Sequence, residues 1–147
     1  MLDKIAENFR QIHQSLIDNF YCYEQKEKII VDKWEKDSLG HGISAVVDSG
    51  KFFDKAGINF SQISGNSLPR SSVGGEGYKD APYFATGVSV VFHPKNPNIP
   101  TSHLNVRYFA TFDEKNEINE EWFGGGFDLT PYVPFKEDCK SWHQQAQ

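Results

Sequence analysis

Two stretches in the second half of the chain, "YFATGVSVVFH" (83–93) and "HLNVRYFATF" (103–112), are rich in β-branched and aromatic residues and alternate in polarity. That period of two fits a strand and no helix, so whatever else the chain does, it must build on these two strands. On the first, Ser89, Val91 and His93 share a face, opposed by Val88, Val90 and Phe92. On the second, His103, Asn105 and Arg107 share a face, opposed by Leu104, Val106 and Tyr108. Paired as a hairpin, the strands place both polar sets on one side of a sheet, as a patch of two imidazoles, a hydroxyl, an amide and a guanidinium. The connection "PKNPNIPT" carries three prolines, each with φ already fixed, so it holds its flanking histidines stiffly. The same alternation also describes an ordinary sheet with one face in water, and both readings stay open at this point.

The rest of the chain divides by its punctuation. No Gly or Pro occurs from Met1 to Leu39, and Ile5, Phe9, Ile12, Leu16, Phe20 and Tyr23 recur at helical spacing, continued by Ile30 and Trp34. The pattern predicts one long amphipathic helix, or two, ended by Gly40 and Gly42. "ISAVVD" (43–48) reads as a strand running into the turn "DSGK", "FFDKAG" as a short helical turn, and "INFSQI" (58–63) as a half-buried strand. Residues 64–80, dominated by Ser, Gly and charge, read as a loop, and "DEKN" (113–116) as a turn. The end of the chain, "PFKEDCKSWHQQAQ", predicts a helix opening at Pro134, with Glu137 and Asp138 in its first turn and a stripe of Phe135, Cys139, Trp142 and Ala146. Strands joined by turns with helices at both ends predict an α+β fold, an antiparallel sheet covered by helices, in a single domain over residues 1–147. One helix at each end leaves a sheet this aromatic short of cover, as if the chain were cut short.

"FGGGFDLTP" (123–131) is the other unusual stretch. Its three glycines permit positive φ or close approach of backbone to a ligand, and Asp128 is an acceptor set among apolar neighbours. A bulge with an Asp capping a turn is the plainer reading. His143, on the final helix, reads by itself as a surface or satisfied core histidine. Ser89, His93 and Asp128 do not read as a hydrolase triad, because there is no G-x-S-x-G elbow and Ser89 sits mid-strand. His13 and His41 carry no pattern.

Composition narrows the function classes. The net charge of -5 and the lack of any basic run argue against nucleic acid as a partner. Cys22 and Cys139 alone make no disulfide framework and no CxxC metal signature. The "GGEG" at 74–77 lacks the lysine and serine of a phosphate loop. The acidic N-terminus is neither a signal nor a transit peptide, and no stretch reaches membrane-span length, so a soluble, cytoplasmic protein is expected.

Taken together, "GVSVVFHPKNPNIPTSHLNVRYF", "WFGGGFDLTPY" and "EDCKSWH", with "DKAGINFSQISG" upstream, resemble oxygen-dependent coproporphyrinogen III oxidases, from about Trp34 to His143. The resemblance implies a large flat antiparallel sheet between helical layers, a homodimer, and the N-terminal portion of a longer family chain. It implies conversion of two propionates of coproporphyrinogen III to vinyls, giving protoporphyrinogen IX, with dioxygen as oxidant and no organic redox cofactor. Some members are described with a divalent metal, manganese among them. By matching motif position, Ser89, Asn105, Val106 (through its backbone) and Arg107 are the implied substrate contacts. His103 is the implied proton donor, His93, His103 and His143 the implied metal ligands, and Asp128 the implied acceptor for pyrrole N–H groups. Ala45 departs from the pattern, standing where the family usually has arginine. A non-catalytic tetrapyrrole- or metal-binding domain, and a mononuclear metal enzyme using His93, His103 and a carboxylate, are the competing expectations.

Overall fold

Six segments form the strands, and each turns back on the one before it. The computed structural model describes residues 1–68 and 81–147. It contains α1 (Leu2–Phe20), β1 (Ile30–Lys36), β2 (Gly40–Asp48), β3 (Phe53–Gly65), β4 (Tyr83–Pro94), β5 (Thr101–Phe112), β6 (Ile118–Thr130) and α2 (Lys136–Gln145), with a single 3-10 turn at Lys26–Lys28. The strands lie in sequence order β1-β2-β3-β4-β5-β6 in one sheet, every neighbour antiparallel. The expected α+β class, an antiparallel sheet with helices, is what the chain forms. Residues 69–80, the greater part of the expected 64–80 loop, lie outside the described residues, while Ser64 and Gly65 close β3. Among the described residues no helix is long and apolar enough to cross a membrane.

One face of the sheet takes α1. Ala45 and Val47 of β2, Ile58 and Phe60 of β3, Val88 and Val90 of β4, and Tyr108 and Ala110 of β5 are buried there with Ala6, Phe9, Ile17 and Phe20 of the helix. Phe20 stacks on Phe53 at 5.0 Å and on Phe92 at 5.4 Å. Each such buried ring contributes about 2 kcal/mol, so the C-terminal turn anchors the helix. The buried stripe is Ala6, Phe9, His13, Ile17 and Phe20; Ile5 and Leu16 sit at its margin, and Ile12 and Tyr23 are exposed.

Three expectations are corrected. The helix predicted over Met1–Leu39 stops at Phe20, and Ile30 and Trp34 belong to β1, where Trp34 lies over Gly42 of β2. Glu24 is buried and ties the intervening segment to the β2–β3 turn, so tertiary hydrogen bonds end the helix where no Gly or Pro does. "FFDKAG" is the start of β3 and not a helical turn: an irregularity between Phe53 and Lys55 sets Phe53 and Ala56, three apart, both into the core, which imitates helical spacing. α2 opens after Phe135, two residues later than the expected Pro134, with Glu137 and Asp138 in its first turn. It leans on the sheet through Trp142, edge-on to Phe127 at 5.1 Å.

The turns behave as their residues dictate. In "DEKN" the Asp113 carboxylate accepts the N–H groups of Lys115 and Glu117, both at 2.9 Å, and Asn116 takes φ 62°. The proline-rich connection is tied to β3's approach at its start and closed on itself by an internal turn. The Lys95 N–H donates to the Phe52 carbonyl, and the Ile99 N–H to that of Asn96, each at 3.0 Å.

Candidate active site

Register decides which side chains meet. On the face away from α1, β4, β5 and β6 present their residues in transverse rows: Val91, His103 and Asp128; Ser89, Asn105 and Gly126; Gly87, Arg107 and Gly124; Ala85, Phe109 and Trp122. The middle row continues through Asn59 of β3 and Ser44 of β2. The polar sets read from alternation thus share one face, and Ser89, His103, Asn105, Arg107 and Asp128 line one open cavity of about 620 Å³. Val106 points to the opposite face, so only its backbone belongs to this row.

His103 and Asp128 are directly opposed across β5–β6, and the His103 Nδ1–H donates to Asp128 Oδ1 at 2.8 Å. A carboxylate only accepts, so this bond assigns the proton to Nδ1 and leaves Nε2 to take up, give or coordinate. Both side chains remain reachable, at 38% and 57% exposure. The His93 ring stands 5.6 Å from that of His103, nearly perpendicular to it.

Arg107 is exposed, lines the cavity and has no hydrogen-bond or ion-pair partner among the described residues. An unpaired guanidinium in a concave polar site is a fork for a carboxylate. Its neighbours in the row are glycines. A Cβ at Gly87 would meet Arg107 Cβ at 2.9 Å, whereas at Gly124 the nearest atom would be Trp122 Cδ1 at 3.8 Å. The floor beside Arg107 is therefore bare backbone, which lets a flat ligand approach closely.

The three glycines of β6 do their work without positive φ, contrary to one expectation. Gly125 is needed because a Cβ there would collide with the Asn105 carbonyl oxygen, and Gly126 faces open space. The close approach is between neighbouring strands.

Behind the site, Tyr108 is fully buried on the helix face and donates its hydroxyl to Glu121. Burial, then the hydrogen bond and the charge of Glu121, push its pKa up to about 12, so it stays protonated and serves structure.

His143 is exposed on α2 and joins neither His93 nor His103 in a ligand set; among the described residues no three His, Cys, Asp or Glu side chains are grouped to hold a metal ion. Two neighbouring imidazoles, one of them backed by a carboxylate, fall short of a closed ligand set. Sequence reading missed the ring ladder at the end of the polar face, where Phe109 stacks between Tyr83 at 5.9 Å and Trp122 at 4.5 Å. Its signal was present in the alternation, since Phe109 follows Arg107 by two.

A second groove, about 670 Å³, runs on the other face between α1 and β5–β6, lined by Ile5, Phe9, Ile12, Leu104, Phe123 and Phe127 among others. Its lining holds no carboxylate or imidazole, and Arg107, Gly125 and Gly126 border it as well as the polar cavity.

A family model described as coproporphyrinogen III oxidase matches residues 4–147, nearly the entire length. With that match standing beside the polar face that β4, β5 and β6 assemble, the chain belongs to the coproporphyrinogen III oxidase family.

Proposed function

We propose that the polar face of β4–β6 binds coproporphyrinogen III and serves its oxygen-dependent decarboxylation to protoporphyrinogen IX. The family is one of haem-biosynthesis oxidoreductases. The observation that carries the reading is the hydrogen-bonded His103–Asp128 pair on the same face as Arg107, which has no partner among the described residues. In each of two rounds a propionate loses carbon dioxide, and the electron pair of the broken C–C bond forms the vinyl double bond. The hydrogen leaving the adjacent carbon, with two electrons, reduces dioxygen, and one added proton completes hydrogen peroxide. The balance thus demands one proton per vinyl.

His103 supplies that proton from Nε2, while Asp128 holds the ring in orientation and stabilises its charged form. Imidazole is the side chain that changes charge near neutrality, which suits repeated turnover. Arg107 grips a propionate, with Asn105, the Val106 backbone and Ser89 completing the contacts. His103 engages Asp128 Oδ1, and Oδ2 accepts from pyrrole N–H groups. An electron-rich porphyrinogen reacts with dioxygen without an organic redox cofactor, so the protein's work is to position it and move protons.

A divalent metal such as manganese would rest on His93, His103 and His143. The described residues do not group these three, and no step above passes through a metal. A homodimer, a cytoplasmic location and a place in the N-terminal portion of a longer oxidase chain belong to the same proposal.

The test is Arg107→Ala, followed by porphyrin fluorescence titration and by oxygen uptake with coproporphyrinogen. Losing a charge-assisted fork should weaken binding roughly tenfold to a hundredfold. His103→Gln should spare binding and lower turnover. Unchanged affinity in Arg107→Ala removes the proposed carboxylate contact, and metal analysis of His93→Ala examines the ligand reading separately.

A further inference from the structure

The ring ladder stands at one end of the polar face. Tyr83, Phe109 and Trp122 belong to three adjacent strands, and Tyr83 and Phe109 lie only 6° from parallel. Trp122 is 44% exposed although it is one of the largest apolar side chains in the chain. Same-face neighbours along a strand are roughly 6.6 Å apart. Three such steps, from His103 through Asn105 and Arg107 to Phe109, therefore make a bed about 20 Å long. Between its ends the floor on β6 is glycine, at Gly124 and Gly126, so nothing on that strand separates the ladder from Asp128.

The bed is chemically directional. The His103 end and the Arg107 row offer donors to carboxylates. The Phe109–Trp122 end presents ring faces and edges whose one polar hydrogen is the neutral Trp122 indole N–H, so a carboxylate desolvated against these two rings gains no charged partner from them.

We propose that the Phe109–Trp122 stack is a specificity contact that receives the apolar edge of a tetrapyrrole and excludes ligands carrying carboxylates on that edge. The inference rests on the reading of the polar face as a tetrapyrrole site, and it adds the direction in which the ligand lies. A macrocycle that turns two neighbouring methyl groups toward the ladder fits; one that carries carboxylates at those two positions does not.

Two probes separate these cases: coproporphyrin III, with four carboxylates and one edge of adjacent methyl groups, and uroporphyrin III, with eight carboxylates and acetates in place of those methyls. Both are titrated by their own fluorescence into wild-type protein, Trp122→Arg and Arg107→Ala. Wild type should prefer coproporphyrin by about tenfold or more, as expected when the second ligand must leave charge unpaired. Trp122→Arg, at a position open enough to accept the guanidinium, should shrink that preference to about twofold or invert it, chiefly by tightening uroporphyrin. Arg107→Ala should weaken both ligands alike. If Trp122→Arg binds coproporphyrin but keeps the wild-type preference, the ladder is not the selecting contact, and the proposed site stands without it. If wild type binds neither porphyrin, the site reading and this inference fall together. Far-ultraviolet circular dichroism of each variant confirms that the sheet is intact.

Discussion

The Glu24 carboxylate accepts the backbone N–H groups of Lys51, Phe52 and Phe53 at 2.6, 2.6 and 2.7 Å, with the side chain buried beneath the β2–β3 turn. Burial alone would push its pKa up; the three donors and the charge of Lys95 more than offset this, and the carboxyl sits below its ordinary value of 4.5. A depressed folded-state pKa contributes stability that is whole above 4.5 and drains away as pH falls through the folded value. Glu24→Gln substitutes one donor-bearing amide for two acceptors and should cost about 2–3 kcal/mol, read as a lower urea midpoint at pH 7. Between pH 5 and pH 3 the variant's midpoint should fall less steeply than the wild type's, and parallel slopes would remove Glu24 as the source. Tyr108 makes a weaker case: Tyr108→Phe loses one partly exposed hydrogen bond to Glu121, so a loss near 1 kcal/mol is expected by the same measurement.

Among the elements, β6 joins fold to site, because it contributes Asp128, Trp122 and the glycine floor. Gly125→Ala should drive a methyl into the Asn105 carbonyl and Val106, costing about 2–3 kcal/mol by overpacking. Hydrogen exchange should then speed up in β5 and β6 and not in β2. Gly126→Ala has nothing within 4 Å of the added atom and should leave exchange unchanged, which separates a steric cause from a general intolerance of side chains there. The stretches that alternation announced, residues 58–63 of β3 with β4 and β5, were legible because each has a buried face and a wetter one, and β2 was legible from its β-rich composition running into a turn. β1 was not: an exposed edge strand has no burial contrast, and Ile30 and Trp34, four apart, repeat the helical interval by accident. The start of β3 was hidden by its irregular register. At the site, period put His103, Asn105 and Arg107 on one face of β5, and Ser89 joined them only through the hairpin pairing of β4 with β5. The bond between His103 and Asp128 did not, since only the β5–β6 register brings together residues 25 apart in sequence.

On the scale of the whole molecule, a single long helix covers the middle of a six-stranded sheet, so the hold of α1 on β3 and β4 governs whether the core stays closed. Much of that hold is aromatic, but one polar link lies inside it. His13, 1% exposed, donates Nε2–H to the Ile58 carbonyl at 3.1 Å, in the centre of β3. Burial lowers its pKa from 6.5, and the backbone hydrogen bond recovers only part of the shift, so the folded protein holds this imidazole neutral. Among the described residues, the side chains packed around it offer no carboxylate to help a proton arrive. Arg10 of α1 lies over the Phe60 ring at 5.5 Å, and His41 of β2 faces the same ring at 6.3 Å, bonded to Arg10. Because the unfolded chain binds this proton more readily, the His13 contribution is complete above pH 6.5 and declines as pH falls through the depressed folded value. Wild-type urea midpoints should therefore drop from pH 8 to pH 5.5, before the Glu24 carboxylate begins to titrate. His13→Leu should be less stable at pH 8 by about 1 kcal/mol for the lost hydrogen bond, and nearly flat across the same interval. Equal slopes for the two proteins would place the acid sensitivity elsewhere. Exchange protection should show where the loss begins: if His13 is the trigger, the amides of α1 open first as the pH is lowered, while those of the β4–β5 pair keep their protection.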